Sequence, residues 1–465
     1  LGFGDFFQKV PKRSPRTTMS KIGFVSLGCP KNLCDTEVML RRLMDAGYEI
    51  TPEETLADVV IINTCAFIES AKNEAIDNIL DIAWLKENHH LKGIIVTGCL
   101  AERYREQIAE EMPEVDAVVG IGSQAKIVDA VKHILDGAAN TYTSFDDMET
   151  APLGGDRLVT TGDLAYLKIA EGCDNRCTYC AIPLIRGKMR SRTVEDIIAE
   201  AKELDSLGVK ELCVVAQDTT AYGIDLYGEY KLPELLEKLV AETSIPWIRL
   251  LYLYPDKITP ELLEVIRDND RILSYFDIPI QHVSENVLRR MARRGGSAAV
   301  RNAVKMIREM IPDATIRTTA IVGFPGETEE DFCELCEFVA ETKFDRFGAF
   351  TYSREEDTPA YDFDDQIDED VKQERYDILM RTQVDISAAK LEEMIGKTVE
   401  VFCEGFDPVA ETHYGRSRAD APEIDGKVYF WSDRKIPEGE IIEVKITESM
   451  DFDLMGEATE KHMKR

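Results

Sequence analysis

The feature that most restricts this chain is a recurring alternation. Short apolar runs are each followed by a segment with helical periodicity, in two separate series. In the first series the runs lie at 22–27, 59–62, 94–97 and 117–119. Helically spaced residues follow, such as Val38, Leu40, Leu43 and Met44, or Ile127, Val131 and Ile134. That order predicts a mostly parallel sheet with helices on both faces, an open α/β unit. A second series has runs at 166–170, 212–216, 248–253, 276–280, 315–322 and 347–352. Six βα units predict an open (βα)6 partial barrel, because the closed form needs about eight.

Between the two series, the polar stretch 141–163 with Gly154 and Gly155 reads as a linker carrying at most one short strand. An acidic loop over 355–370 leads to a long helix ending near residue 395. From 396 the β-forming runs 398–402, 427–430 and 441–446, with Gly405, Gly415, Gly426 and Gly439 at turns, predict a small antiparallel β-barrel. The expected division is an extension or tag over 1–20, an N-terminal cluster-binding domain over 21–140, the linker, a central domain over 164–395, and the small barrel over 396–465.

Charge and cysteine usage narrow the function. The net charge of −32 argues against direct nucleic-acid binding and favours a basic protein partner. No apolar stretch is long enough to span a membrane, and no secretory signal opens the chain, so a cytoplasmic setting is expected. Eleven cysteines, an odd number without a secretion signal, point to metal or catalytic use rather than disulfides.

Three of those cysteines form a CxxxCxxC loop, Cys173, Cys177 and Cys180, just after the first strand of the second series. Three thiolates in eight residues can wrap one face of a 4Fe-4S cube and leave the fourth iron without a protein ligand. An open iron can chelate the amino and carboxylate groups of S-adenosylmethionine. A zinc site usually pairs CxxC with a second, distant pair, and no such partner is present. Three more cysteines, Cys29, Cys65 and Cys99, each follow a predicted parallel strand. Ligands gather at that edge of open α/β sheets, so these thiols predict a second cluster of the same kind. Cys34, Cys213, Cys333, Cys336 and Cys403 lack such placement and read as core or surface residues.

The CxxxCxxC loop resembles that of the radical S-adenosylmethionine superfamily, over 165–352. The resemblance implies that the aromatic residue before the third cysteine, Tyr179, lies near the adenine. Three cysteines in an amino-terminal α/β domain, a radical barrel and a terminal β domain similar to TRAM resemble the methylthiotransferase family over almost the whole chain. Ser26-Leu-Gly-Cys29-Pro-Lys-Asn32 is similar to the branch that acts on a ribosomal protein, with Pro30 and Lys31 carrying that assignment. The resemblance implies two 4Fe-4S clusters, S-adenosylmethionine and an external electron donor. It also implies methylthio transfer to the β-carbon of an aspartate in a basic small-subunit ribosomal protein.

Gln217, Arg249, Gln281 and Arg317 sit in or just past predicted strands, where they could line the cofactor site, and Arg could clamp a carboxylate. Gly323 lies in the turn Ile321-Val-Gly-Phe-Pro-Gly-Glu327, where glycine permits close approach to the cofactor. The basic stretch 186–192 is either a solvated loop or a border of the site. The acidic runs 355–357 and 362–370 read as solvated faces. Two rivals remain. One is the same chemistry on transfer RNA, disfavoured by a terminal domain with ten Lys and Arg against sixteen Asp and Glu from residue 397. The other is an iron–sulfur carrier without radical chemistry, disfavoured by the barrel and its glycine turns.

Overall fold

The computed structural model describes residues 19–138 and 140–459; the expected extension lies, up to residue 18, outside them. The first unit is built on β1 (Lys21–Ser26), β2 (Glu49–Thr51), β3 (Val59–Thr64), β4 (Gly93–Gly98), β5 (Ala117–Val119) and β6 (Tyr142–Ser144). These form one parallel sheet in the order β2-β1-β3-β4-β5-β6. Every residue of β3 and β4 is buried, as expected for central strands with helices on both faces. The edge strands β2 and β6 have three residues each, too few to register as a periodic run. β6 arises from the polar stretch that reads as linker.

The second unit contains β7 (Leu164–Lys168), β8 (Ala170–Glu171), β9 (Arg190–Ser191), β10 (Glu211–Val215), β11 (Trp247–Leu250), β12 (Ile272–Asp277), β13 (Thr315–Val322) and β14 (Arg346–Thr351). Six of them form an open parallel sheet, β14-β13-β12-β11-β10-β7, while β8 and β9 pair separately. β12 starts four residues earlier than the pattern predicts. The run from Ile272 to Ile280 is apolar almost throughout, so periodicity cannot fix its ends. Pairing of Ile272 with Ile248 and of Phe276 with Leu250 does.

Side chains alternate across this sheet as the period of two requires. Ala165, Leu167, Leu212, Val214, Ile248 and Leu250 point into the main core beneath the helices. Tyr166, Cys213, Trp247 and Tyr275 point to the opposite, concave face, where they pack with Cys34, Phe402 and Ala421. The concave face is therefore covered from two sides, by the first unit's helix Pro30–Asp45 and by the terminal barrel.

That barrel comprises β15 (Thr398–Asp407), β16 (Thr412–Ser417), β17 (Val428–Trp431), β18 (Ile441–Ser449) and β19 (Leu454–Ala458), closed in the order β15-β16-β17-β19-β18. One of its pairings, β17 with β19, is parallel, whereas the sequence pattern predicts an antiparallel barrel. A ring with an odd number of strands cannot alternate direction throughout, so one parallel pair is unavoidable. Among the described residues no helix is long and apolar enough to cross a membrane.

Ion pairs seat the barrel. Glu211, fully buried, accepts from Arg249 Nε and from Arg416 Nη2, both at 2.6 Å. Arg346 reaches Asp420, and the Tyr275 hydroxyl donates to Asp425 at 2.5 Å. Burial pushes the Glu211 carboxyl up, but the two guanidiniums outweigh it and the net shift is downward. Glu211→Ala would leave both arginines without this partner in a dry site. We expect that to cost on the order of 3–5 kcal/mol, read by urea unfolding. The folded pKa lies below the free value of 4.5. The contribution is therefore whole above that value and lost as pH falls through the depressed one. The gap between wild type and variant should narrow correspondingly in acid.

Candidate active site

Cys29, Cys65 and Cys99 stand at the carboxyl ends of the neighbouring strands β1, β3 and β4. Cys29 is the N-cap of helix Pro30–Asp45, and Cys99 opens helix Cys99–Glu111. Two glycines let these loops converge. A side chain on Gly28 (φ +89°) would come within 2.9 Å of Cys65 Cβ, and one on Gly98 (φ +88°) within 2.5 Å of the Thr64 carbonyl oxygen. Asn32 stitches the loops by donating to Leu27 O at 3.0 Å and Thr64 O at 2.9 Å. Cys99 Sγ lies 3.7 Å from Asn32 Oδ1.

The three thiols differ in their fields. Burial would raise Cys29, but the Lys31 ammonium, the Arg186 guanidinium and nearby backbone amides reverse this, and its net shift is downward. At Cys65 burial wins and the shift is upward. At Cys99 burial, against Arg186, pushes the thiol up to about 12. Lys31 is itself buried, with Nζ 3.4 Å from the centre of the Tyr252 ring in the second unit.

The second trio is held by a loop framed by β8 and β9. The Cys173 amide donates to Gly187 O at 3.1 Å, Thr178 N to Met291 O at 3.0 Å, and Cys180 N to Cys177 O at 3.1 Å. Asn175 Nδ2 donates to Asp218 at 2.6 Å, and Lys257 pairs with the same carboxylate at 2.8 Å. Cys177 Sγ lies 3.6 Å from the Tyr254 hydroxyl. Burial raises Cys173 to about 11 and, with the Cys177 charge, Cys180 to about 12. The described residues contain no group of three or more His, Cys, Asp or Glu placed to hold one metal ion. Three thiol donors in each trio are the soft donor set that iron–sulfur clusters take.

A buried polar network joins the first trio to the residues that flank the second in sequence. Arg186 Nη1 donates to Glu171 at 2.8 Å and to Asp35 at 3.3 Å. Its Nη2 reaches Asn32 Oδ1 and lies 3.7 Å from Cys99 Sγ. Lys168 contacts Asp35 and donates to Glu171 at 2.8 Å. Gln217 Nε2 donates to Glu171 at 2.6 Å.

The other candidates separate into groups. Tyr179 lies beside the second trio, its hydroxyl 3.4 Å from Arg293 Nη1. Gln217 and Gln281 each leave a buried Oε1 without a partner, and Gln281 has a left-handed φ of +68°. These orphaned acceptors suit a polar ligand at the mouth. Arg249 and Arg317 are both held by carboxylates. Arg249 is committed to Glu211 and to Arg418 O, and Arg317 to Asp277 at 2.8 Å and toward Asp425 at 3.6 Å. Both therefore serve the seat of the terminal barrel. Gly323 (φ +71°) makes room for a different neighbour: a side chain there would fall 2.2 Å from Lys372 Cγ, on the long helix Glu369–Glu392.

Several buried charged residues escaped the sequence reading. Arg186 appeared only as part of a basic stretch, yet it is 1% exposed, and Arg192 is 4% exposed. Arg293 stacks 4.0 Å from the Tyr254 ring centre beside Cys177, and no motif marks it. Glu355, read as part of a solvated run, is instead buried and pairs with Arg103 at 3.2 Å.

Comparison with known proteins agrees with this architecture. Three family descriptions match: uncharacterized protein family UPF0004 over residues 21–120, the radical SAM superfamily over 167–339, and the TRAM domain over 395–459. The chain is 51% identical over 443 residues to the ribosomal protein uS12 methylthiotransferase RimO of Clostridioides difficile (strain 630), covering 94% of this chain and 99% of that one. A protein of the same name from Desulforamulus reducens is 48% identical over 446 residues, with the same coverage of each chain. The radical S-adenosylmethionine methyltransferase TsrM of Kitasatospora setae matches in fold, with a TM-score of 0.53 at 14% identity over 74% of each chain. The chain belongs to the RimO family of radical S-adenosylmethionine methylthiotransferases.

Proposed function

We propose that this enzyme inserts a methylthio group at the β-carbon of an aspartate in the small-subunit ribosomal protein uS12. The observation that carries the reading is the buried network that touches Cys99 of one trio and is built by Glu171 and Arg186, two residues before and six residues after the other trio. Relatives 46–51% identical to this chain are named for uS12 methylthio transfer. Cys173, Cys177 and Cys180 would hold one 4Fe-4S cluster, and Cys29, Cys65 and Cys99 a second, each leaving one iron open. When bound, the first supplies the electron that cleaves S-adenosylmethionine and the second carries the sulfur to be transferred.

The chain's own residues bind, orient and exclude water. Gln217 and Gln281 offer free carbonyl oxygens to the ammonium or hydroxyl groups of the cofactor. Arg293 and Tyr179 line its aromatic side. The terminal barrel covers the concave face and keeps bulk water from it, which strengthens every charge inside. An external donor supplies electrons. The free thiols suit a reducing, cytoplasmic setting.

A basic partner also suits the surface. Of the terminal barrel's cations, Arg416 is buried against Glu211 and Glu404, so the outward face keeps the domain's excess of acidic residues. Acidic surfaces attract basic ribosomal proteins and repel phosphates.

Anaerobically reconstituted enzyme should hold about eight irons. A Cys29→Ala, Cys65→Ala, Cys99→Ala variant should keep about half of them and still produce 5′-deoxyadenosine. Loss of all iron from a folded variant would contradict independent clusters.

Offered uS12 and transfer RNA in parallel, the enzyme should place methylthio label only in the protein. Binding of uS12 should weaken with added salt, because screening shortens the reach of charge to roughly 8–10 Å. Label confined to RNA rejects the substrate while leaving the radical chemistry intact.

A further inference from the structure

The cation nearest Cys99 does not belong to the unit that carries Cys99. Arg186 ends the short helix Ile182–Arg186, six residues beyond Cys180 of the other trio. All of its contacts are directed. Nη1 is shared by Asp35 and Glu171, while Nη2 is shared by Asn32 and the Cys99 sulfur. Lys168 neutralises the remaining charge of the same two carboxylates, so the set carries two positive and two negative groups with none to spare.

We propose that Arg186 is a positioning residue for the cluster on Cys29, Cys65 and Cys99: it fixes a positive charge beside Cys99 and so sets that cluster's reduction potential, with Glu171 as the opposing control. The inference rests on the two-cluster reading above. A guanidinium keeps its charge at every working pH. In a dry site that charge is weakly screened, and hydrogen bonds and charges at the sulfurs tune cluster potentials. Arg186 is supplied by the radical unit, so the potential of the sulfur-carrying cluster depends on how the two units are docked. Glu171 also holds Gln217, which links the same charge network to the cofactor mouth.

The test uses a Cys173→Ala, Cys177→Ala, Cys180→Ala background, in which the only cluster left is the one on Cys29, Cys65 and Cys99. Its midpoint potential is followed by electron paramagnetic resonance during a redox titration. Arg186→Gln removes a positive charge and should move the midpoint to more negative values. Glu171→Gln removes a negative charge and should move it to more positive values. Arg186→Lys should stay near the parent. The Arg186→Gln, Glu171→Gln double variant keeps Asp35 and Lys168 as a neutral pair, so it guards against misfolding and should also return toward the parent. In the complementary Cys29→Ala, Cys65→Ala, Cys99→Ala background, Arg186→Gln should shift the other cluster less. A purely structural role would not produce shifts of opposite sign. Retained iron with no shift, or with both single variants shifting the same way, overturns the proposal alone. Absence of iron from the folded background overturns the proposal together with the two-cluster reading.

Discussion

Asp35, Lys168, Glu171 and Arg186 form a closed, buried ring in which each carboxylate touches both cations. Removing four charges from water costs several kcal/mol per ion, and their attraction offsets this only when geometry and hydrogen bonds are complete. Burial pushes Glu171 up, yet Arg186 and Lys168 hold its carboxyl well below the usual range. Three of the four groups belong to the radical unit; Asp35 alone comes from the helix that Cys29 caps. Without Asp35 the radical unit would bury one unmatched positive charge. The ring is therefore balanced only when the first unit is seated, and that seating brings Cys99 against Arg186. Its main contribution is register between the two trios rather than stability as such.

The terminal barrel is seated by the same principle at the other end of the concave face. There the radical unit offers Arg249, Arg317 and Arg346, and carboxylates meet them from both sides: Glu211 and Asp277 from within, Asp420 and Asp425 from the barrel. Arg416 crosses in the reverse direction to Glu211. An open sheet of six strands leaves its concave face wet unless something covers it. The packing of Phe402 and Ala421 against Trp247 and Tyr275 supplies the apolar part of that cover. The arginines supply direction, since their planar forks fit a carboxylate in few orientations. What stays open is the mouth at the strand ends, where Gln217 and Gln281 keep unpaired oxygens.

The placement of the two cysteine trios was legible in the sequence because they follow apolar runs that periodicity defines. The two βα series and the small barrel were legible for the same reason. Arg249 and Arg317 show the limit. Alternation says that they face inward, but not which end of the concave face they serve. That depends on Glu211, Asp425 and Arg418, distant in sequence and brought near only by the terminal barrel. Arg186 was hidden differently: a buried arginine and a surface arginine look alike in one sequence, and only its two carboxylate partners reveal the burial. The edge strand β2 was missed because three residues make too short a run, and the equally short β6 was read only as at most one short strand of the linker. The parallel pair in the barrel follows from an odd strand count, which a reading of separate β runs does not contain.

Pro30 and Lys31, on which the branch resemblance in the sequence rests, do their physical work at the trio. Proline at the start of a helix forfeits only an N–H that has no partner there. Its fixed φ helps hold Cys29 at the N-cap, where backbone amides of Lys31 and Asn32 support a thiolate. Lys31 then spans the two units, its ammonium over Tyr252 and its charge beside Cys29. The trio is thereby made unequal. Cys29 shifts toward the thiolate despite burial, while Cys99 is pushed up to about 12. Metal ligation requires the thiolate and releases a proton from any thiol still carrying one. Lys31 and Arg186 ease that loss at Cys29, whereas at Cys99 burial opposes the new thiolate charge. Arg186 stands where that new charge forms, so the cation that bridges the units also compensates the least acidic resolved thiol of the trio.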